Sequence, residues 1–100
     1  MNLEYPVKRR KSRTVKIGEV LIGGGFPIAV QSMTTADTRD ADLAASQINA
    51  LYESGCDIVR ISVLNHDAGD NLKKIRQLVD PSRPIVADIH FQYKLALKAI

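Results

Sequence analysis

The 100-residue chain has one cysteine, Cys56, and no tryptophan, and its aromatic content is only 5%. A single thiol excludes an internal disulfide and any multi-cysteine metal site within the chain. Cys56 reads as a small buried residue entering a strand. No apolar run approaches bilayer length, which excludes a membrane-spanning helix. The N-terminus is basic but no apolar segment follows it, so no secretory leader is expected. These shortages fit a reducing cytoplasm. Gly23-Gly24-Gly25 lacks the spacing and the lysine of a phosphate-binding loop and reads as a turn or joint.

What is present is ordinary for a globular protein: 45% hydrophobic and 25% charged residues, with a net charge of +3. Much of the positive charge sits in Lys8-Arg9-Arg10-Lys11-Ser12-Arg13. Such a run attracts phosphate, or is simply a solvated arm. No aromatic residue interleaves with it, which argues against a stacking platform for nucleic acid.

Periodicity then organises the chain. Residues 1–13 form a basic lead-in. Val15-Lys16-Ile17 and Val20-Leu21-Ile22 flank Gly18-Glu19, a two-residue loop suited to a type II′ hairpin. The hairpin, residues 14–22, puts Val15, Ile17, Val20 and Ile22 on one face, which must dock on something. Three strands follow, each with an aliphatic face and a face that turns polar. In residues 28–34, Ile28 and Val30 oppose Ala29, Gln31 and Met33; in residues 57–63, Val59, Ile61 and Val63 oppose Ile58, Arg60 and Ser62. In residues 84–91, Ile85, Ala87 and Ile89 oppose Val86, Asp88 and His90. Between them lie two amphipathic helices. The first runs to about Ser54 with Ala44, Ile48, Leu51 and Tyr52 as its stripe, ended by Gly55. The second covers residues 68–79 with Leu72, Ile75, Leu78 and Val79 on one side. A third begins near Gln92, with Leu95, Ala99 and Ile100 in its pattern.

The strand–helix unit recurs roughly every 29 residues, the length of a βα unit with parallel strands. The fold class is therefore α/β: an N-terminal hairpin followed, over residues 27–100, by the first three βα units of a TIM-type (β/α) barrel. Helices should cover the aliphatic faces, and the hairpin should cap the barrel bottom. A complete barrel has eight such units, so the chain is expected to be the N-terminal part of a larger protein, with exposed sheet edges when isolated. Gln31, Thr34, Arg60, Asp88 and His90 are then the candidate substrate-binding residues, converging on one mouth at the strand ends. An Asp–His pair that merely fixes a loop is the plainer reading of Asp88 and His90.

The same segments carry a resemblance. Val15-Lys16-Ile17-Gly18, Val30-Gln31-Ser32-Met33-Thr34, Gly55-Cys56-Asp57-Ile58-Val59-Arg60 and Val86-Ala87-Asp88-Ile89-His90-Phe91 resemble the N-terminal barrel of the 4-hydroxy-3-methylbut-2-enyl diphosphate synthase family. The likeness runs from about Arg10 to the last residue. It implies reductive ring opening and dehydroxylation of 2-C-methyl-D-erythritol 2,4-cyclodiphosphate in isoprenoid biosynthesis. It implies a [4Fe-4S] cluster held by three Cys and one Glu of a C-terminal domain absent here, so no metal ligand is assigned. It also implies flavodoxin or ferredoxin as electron donor, and a homodimer in which one subunit's cluster domain covers the other's barrel mouth. On this likeness Arg60 meets the substrate's phosphates, and Asp88 and His90 bind substrate or orient neighbouring arginines. Gln31 and Thr34 are the weaker matches. No catalytic proton donor is assigned, and the isolated segment should be inactive. A phosphate- or pterin-binding barrel of the dihydropteroate-synthase type shares the hairpin and polar strand ends. A basic interaction module acting through residues 8–13 would leave the strand-end cluster unexplained.

Overall fold

The computed structural model describes residues 8–100. Strands β1 (Val15–Ile17) and β2 (Val20–Ile22) form an antiparallel hairpin. Gly18 closes its turn at φ +57°, and no non-glycine residue has positive φ among the described residues. The turn therefore matches the type II′ pattern, with only its first central residue left-handed. Val15 faces Ile22 and Ile17 faces Val20, so the four aliphatic side chains share a face as the alternation predicts. Gly24, at φ +56°, lies so close to Thr14 that a Cβ there would overlap its hydroxyl. The glycine joint is thus a packed turn, closed by the Phe26 amide on the Gly23 carbonyl at 3.0 Å.

Strands β3 (Gln31–Met33), β4 (Ile58–Ser62) and β5 (Ile85–Asp88) make one parallel sheet in the order β3-β4-β5. Helices α1 (Ala41–Glu53), α2 (His66–Leu78) and α3 (Tyr93–Ala99) follow their strands in sequence. Register aligns Ser32 with Val59 and Val59 with Ile85, and Met33 with Arg60 and Arg60 with Val86. One face of β4 and β5 is thus aliphatic and the other carries the polar candidates. The aliphatic face meets the helices. Val59, Ile61, Ala44, Ile48, Ile75 and Val79 are all at most 3% exposed and form one cluster. Val63, Ala68 and Leu95 form a second, with Ala87 and Ile89 against it. Each fully buried aliphatic side chain contributes about 1.5–3 kcal/mol, so this layer is the main source of cohesion.

The helix ends follow their local chemistry. The Asp40 carboxylate accepts from the Leu43 amide at 3.1 Å, and the Asn65 side chain accepts from the Ala68 amide at 2.9 Å. Both satisfy amides that the first turn leaves without partners. Gly55, at φ +109°, ends α1 as expected. The Tyr52 hydroxyl donates to the Pro84 carbonyl and accepts from the Val59 amide at 3.2 Å, tying α1 to β4 and to the start of β5. Burial pushes the Tyr52 phenol up from its ordinary value.

Four expectations need correction. The first parallel strand is shorter than residues 28–34, and Ile28 and Val30 are 77% and 57% exposed rather than helix-covered. Its pairing begins only where β4 approaches, with the Asp57 and Ile58 amides donating to the Val30 carbonyl. Ahead of that point the neighbouring chain is still turning through Gly55. The strand expected over residues 84–91 likewise pairs only over Ile85–Asp88, because β4 ends at Ser62. Leu78 is 45% exposed while Val79 is buried, since Val79 is extended (φ −113°, ψ 142°) and turns inward as α2 stops. Helix α2 starts earlier than residue 68, taking His66 into its exposed first turn. Cys56 is free and half-buried against the helix-side core.

Candidate functional site

Parity and register decide which side chains meet. Arg60 is the third residue of β4 and Asp88 the last of β5, both on the face away from the helices. His90 follows two residues later and keeps that parity. Asp88 lies between the other two. Its Oδ2 is 3.6 Å from Arg60 Nε, and its Oδ1 is 3.3 Å from His90 Nε2. The carboxylate is 24% exposed, against 40% for Arg60 and 52% for His90, so the bases reach outward while the acid is recessed. His90 also leans on Phe91, with ring centroids 6.0 Å apart.

Arg60 Nε is buried and has no hydrogen-bond partner, because Asp88 Oδ2 stops just short of bonding distance. Among the described residues the guanidinium makes one further contact, from Nη2 to the Met33 sulfur at 3.7 Å. Met33 ends β3 and stands opposite Arg60 in register. A five-donor cation so lightly engaged can still offer a planar pair of N–H groups to an oxyanion. Sequence reasoning placed Met33 on this face but not in the site; its parity was the available signal.

The remaining candidates lie elsewhere. Gln31 shares the face but is the first residue of β3, opposite Ile58 at the first position of β4. It lines a groove with Ile17 and Ile22 of the hairpin, at the N-terminal end of the strands. The expectation that it faces the mouth is corrected: the side-chain parity was right, but the strand begins at Gln31 instead of three residues earlier. Thr34 sits just past β3, with its amide donating to the Arg60 carbonyl at 3.0 Å. It is 8% exposed and its hydroxyl is buried without a partner. It has the parity of Ser32, opposite to Arg60, and lines a separate cleft of about 350 Å³ with residues of the β3–α1 loop and Ser62. Thr34 is therefore near the strand ends but does not join the Arg60–Asp88–His90 group.

That loop is held from several sides. Gln47 of α1 accepts from the Thr35 and Ala36 amides at 3.0 and 2.8 Å and donates to the Thr35 hydroxyl at 2.8 Å. The Thr38 hydroxyl donates to the Ser62 carbonyl at 2.5 Å, and Asn71 of α2 donates to the Thr38 carbonyl at 3.3 Å. At its tip, the Arg39 side chain and amide bond the Asp37 carboxylate, holding its pKa at about 2.

A family model described as the GcpE TIM-barrel domain matches residues 12–100. The chain belongs to the GcpE TIM-barrel domain family. The match reaches from the basic lead-in through β1 to the end of α3, covering both the hairpin and the strand-end site of this GcpE-family chain. Among curated relatives, 4-hydroxy-3-methylbut-2-en-1-yl diphosphate synthase (flavodoxin) of Marinomonas sp. strain MWYL1 is 53% identical over 98 residues. The proteins of the same name from Marinobacter nauticus and Pseudomonas putida strain GB-1 are 54% and 53% identical over the same length. Each match takes in 98% of this chain but 26% of the relative. The chain thus spans about a quarter of the length of the curated relatives it matches.

Among the described residues, no helix is long and apolar enough to cross a membrane, and no three His, Cys, Asp or Glu side chains gather as a metal site. An iron–sulfur cluster needs several thiolate or equivalent ligands, and the chain has one cysteine, packed against the helix-side core. The residues present do not fit such a group.

Proposed function

We propose that this chain is the substrate-binding start of a longer 4-hydroxy-3-methylbut-2-en-1-yl diphosphate synthase. In this reading β3, β4 and β5 are the first three strands of its barrel, and the β1–β2 hairpin caps the N-terminal end. Support for the cap comes from the groove that Ile17 and Ile22 share with Gln31 and Ile58. The substrate is 2-C-methyl-D-erythritol 2,4-cyclodiphosphate, reductively opened and dehydroxylated to the linear allylic diphosphate. Flavodoxin would deliver the two electrons, as the relatives' names suggest. The [4Fe-4S] cluster that passes them on would be held by residues outside this segment, in a protein that works as a homodimer in a reducing cytoplasm.

The observation that carries the reading is the convergence of Arg60, at the middle of β4, with Asp88 and His90 at the C-terminal end of the adjacent parallel strand β5. Binding sites of α/β barrels occupy that end. Each residue has a task its chemistry suits. Arg60 donates two N–H groups to phosphate oxygens from a planar fork that matches them. Asp88 stands 3.6 Å from Nε, at the inner edge of the guanidinium, which leaves the outer edge for the ligand. A shift of a few tenths of an ångström on anion binding brings the buried Nε within bonding distance of Asp88. His90, on the other carboxylate oxygen, presents its ring toward the same space and hydrogen-bonds the substrate.

The test is Arg60→Ala in the full-length protein, with turnover and affinity for the cyclic diphosphate measured. Loss of a phosphate contact of this kind costs about 2–4 kcal/mol. Unchanged turnover and affinity would make Arg60 a structural residue and end the proposal.

A further inference from the structure

We propose that Met33 is a positioning residue for Arg60, acting through its thioether sulfur; the inference rests on the phosphate-binding reading of Arg60. Three observations support it. Met33 and Arg60 are register partners on adjacent strands, so the backbone fixes their spacing. The sulfur is 3.7 Å from Arg60 Nη2. The only other side-chain acceptor near the guanidinium among the described residues is Asp88, at 3.6 Å from Nε. The guanidinium is held between β3 on one side and β5 on the other.

The two acceptors differ in charge, and that difference gives Met33 its role. A carboxylate at the β3 position would hold the guanidinium more strongly, but it would also cancel the positive charge that recruits phosphate. A thioether is a weak, neutral and polarisable acceptor. It orients Nη2 and leaves the field of the cation directed outward. Leucine has nearly the same volume as methionine and packs as well, but offers no lone pair. A glutamine side chain reaches a similar distance and carries a neutral oxygen acceptor.

The experiment compares Met33→Leu, Met33→Gln and Arg60→Ala in the full-length protein. It reads calorimetric affinity for the cyclic diphosphate, thermal midpoint, and the ¹⁵N signal of Arg60 Nε–H. Losing this weak bond from the guanidinium to the thioether should weaken affinity about three- to tenfold in Met33→Leu, and Met33→Gln should recover it to within about twofold. The Arg60 Nε–H signal should lose order in Met33→Leu at an unchanged thermal midpoint. Wild-type affinity and an unchanged Nε–H signal in Met33→Leu, alongside lost binding in Arg60→Ala, would overturn the role of Met33 and leave the phosphate reading standing. Equal weakening in both Met33 variants with a lowered midpoint would also overturn it, showing packing alone. Retained binding in Arg60→Ala would remove the phosphate reading and this inference with it.

Discussion

Asp88 is the residue on which the site turns, because one carboxylate addresses two bases through its two oxygens. Replacing it by alanine should harm more than the pair energies suggest. Arg60 Nε, already buried without a hydrogen-bond partner, would also lose the carboxylate that stands 3.6 Å from it and offsets its charge. Asp88→Asn should retain part of the orientation and Asp88→Ala little of it, read as affinity for the cyclic diphosphate. Equal affinities in the two variants would show that the carboxylate does not orient Arg60. Asp37 offers a test in a different place. Its hydrogen bonds from the Arg39 side chain and amide hold its pKa at about 2, below the ordinary 3.8. A depressed carboxylate stabilises the fold above its unfolded pKa, and that contribution is lost as pH falls through the folded value. The loop should therefore stay ordered through pH 4 and loosen only between 3.8 and about 2. A carbon-detected titration of the Asp37 carboxyl checks this. Arg39→Ala should move the midpoint up toward 3.8, and no movement would show that Arg39 does not hold the charge.

Elements were legible where their periodicity was complete. Helix α1 shows its stripe and terminal glycine in sequence, and it ends where they predict. Alternation in residues 57–63 identified both faces of β4 correctly, because β4 has neighbours on both sides. Strand length was not legible. Ile28 and Val30 have the side chains of a strand, but pairing needs a partner at the same height, and β4 has not begun there. That same error carried Gln31 to the wrong end of the sheet. The cross-links between elements gave no sequence signal at all: Gln47 and Tyr52 look like ordinary helix residues until the chain is folded. Tyr52 joins α1 to β4 and to Pro84 through one hydroxyl. Tyr52→Phe should lower stability by about 1–3 kcal/mol, since it takes this partner from the buried Val59 amide and the half-buried Pro84 carbonyl. Chemical denaturation of the full-length protein measures it, and an unchanged midpoint would show that the two bonds contribute nothing net.

For the molecule as a whole, the packed layer is on one side. Helices cover the aliphatic face of the sheet, and the opposite face holds Met33, Arg60, Ser62, Val86 and Asp88, all only half-buried. Ile28, Val30, Leu64, Phe91, Leu97 and Ile100 are each more than half exposed. Sheet edges and apolar side chains left open in this way favour association. The chain on its own should form heterogeneous higher aggregates in sedimentation velocity, whereas the full-length protein should sediment as a discrete dimer, because further strands and helices would cover those surfaces. A stable monomer of the 100-residue chain would mean that the hairpin and three βα units suffice.

In the proposed reading Arg60, set beside Asp88 and near His90, receives a diphosphate. The most direct measurement is a crystal structure of the full-length protein with the cyclic diphosphate bound. Phosphate oxygens should lie within about 2.7–3.0 Å of the Arg60 guanidinium, with Nε drawn onto Asp88. A diphosphate seated at the hairpin end of the strands, or at the mouth with Arg60 turned away from it, would contradict the account.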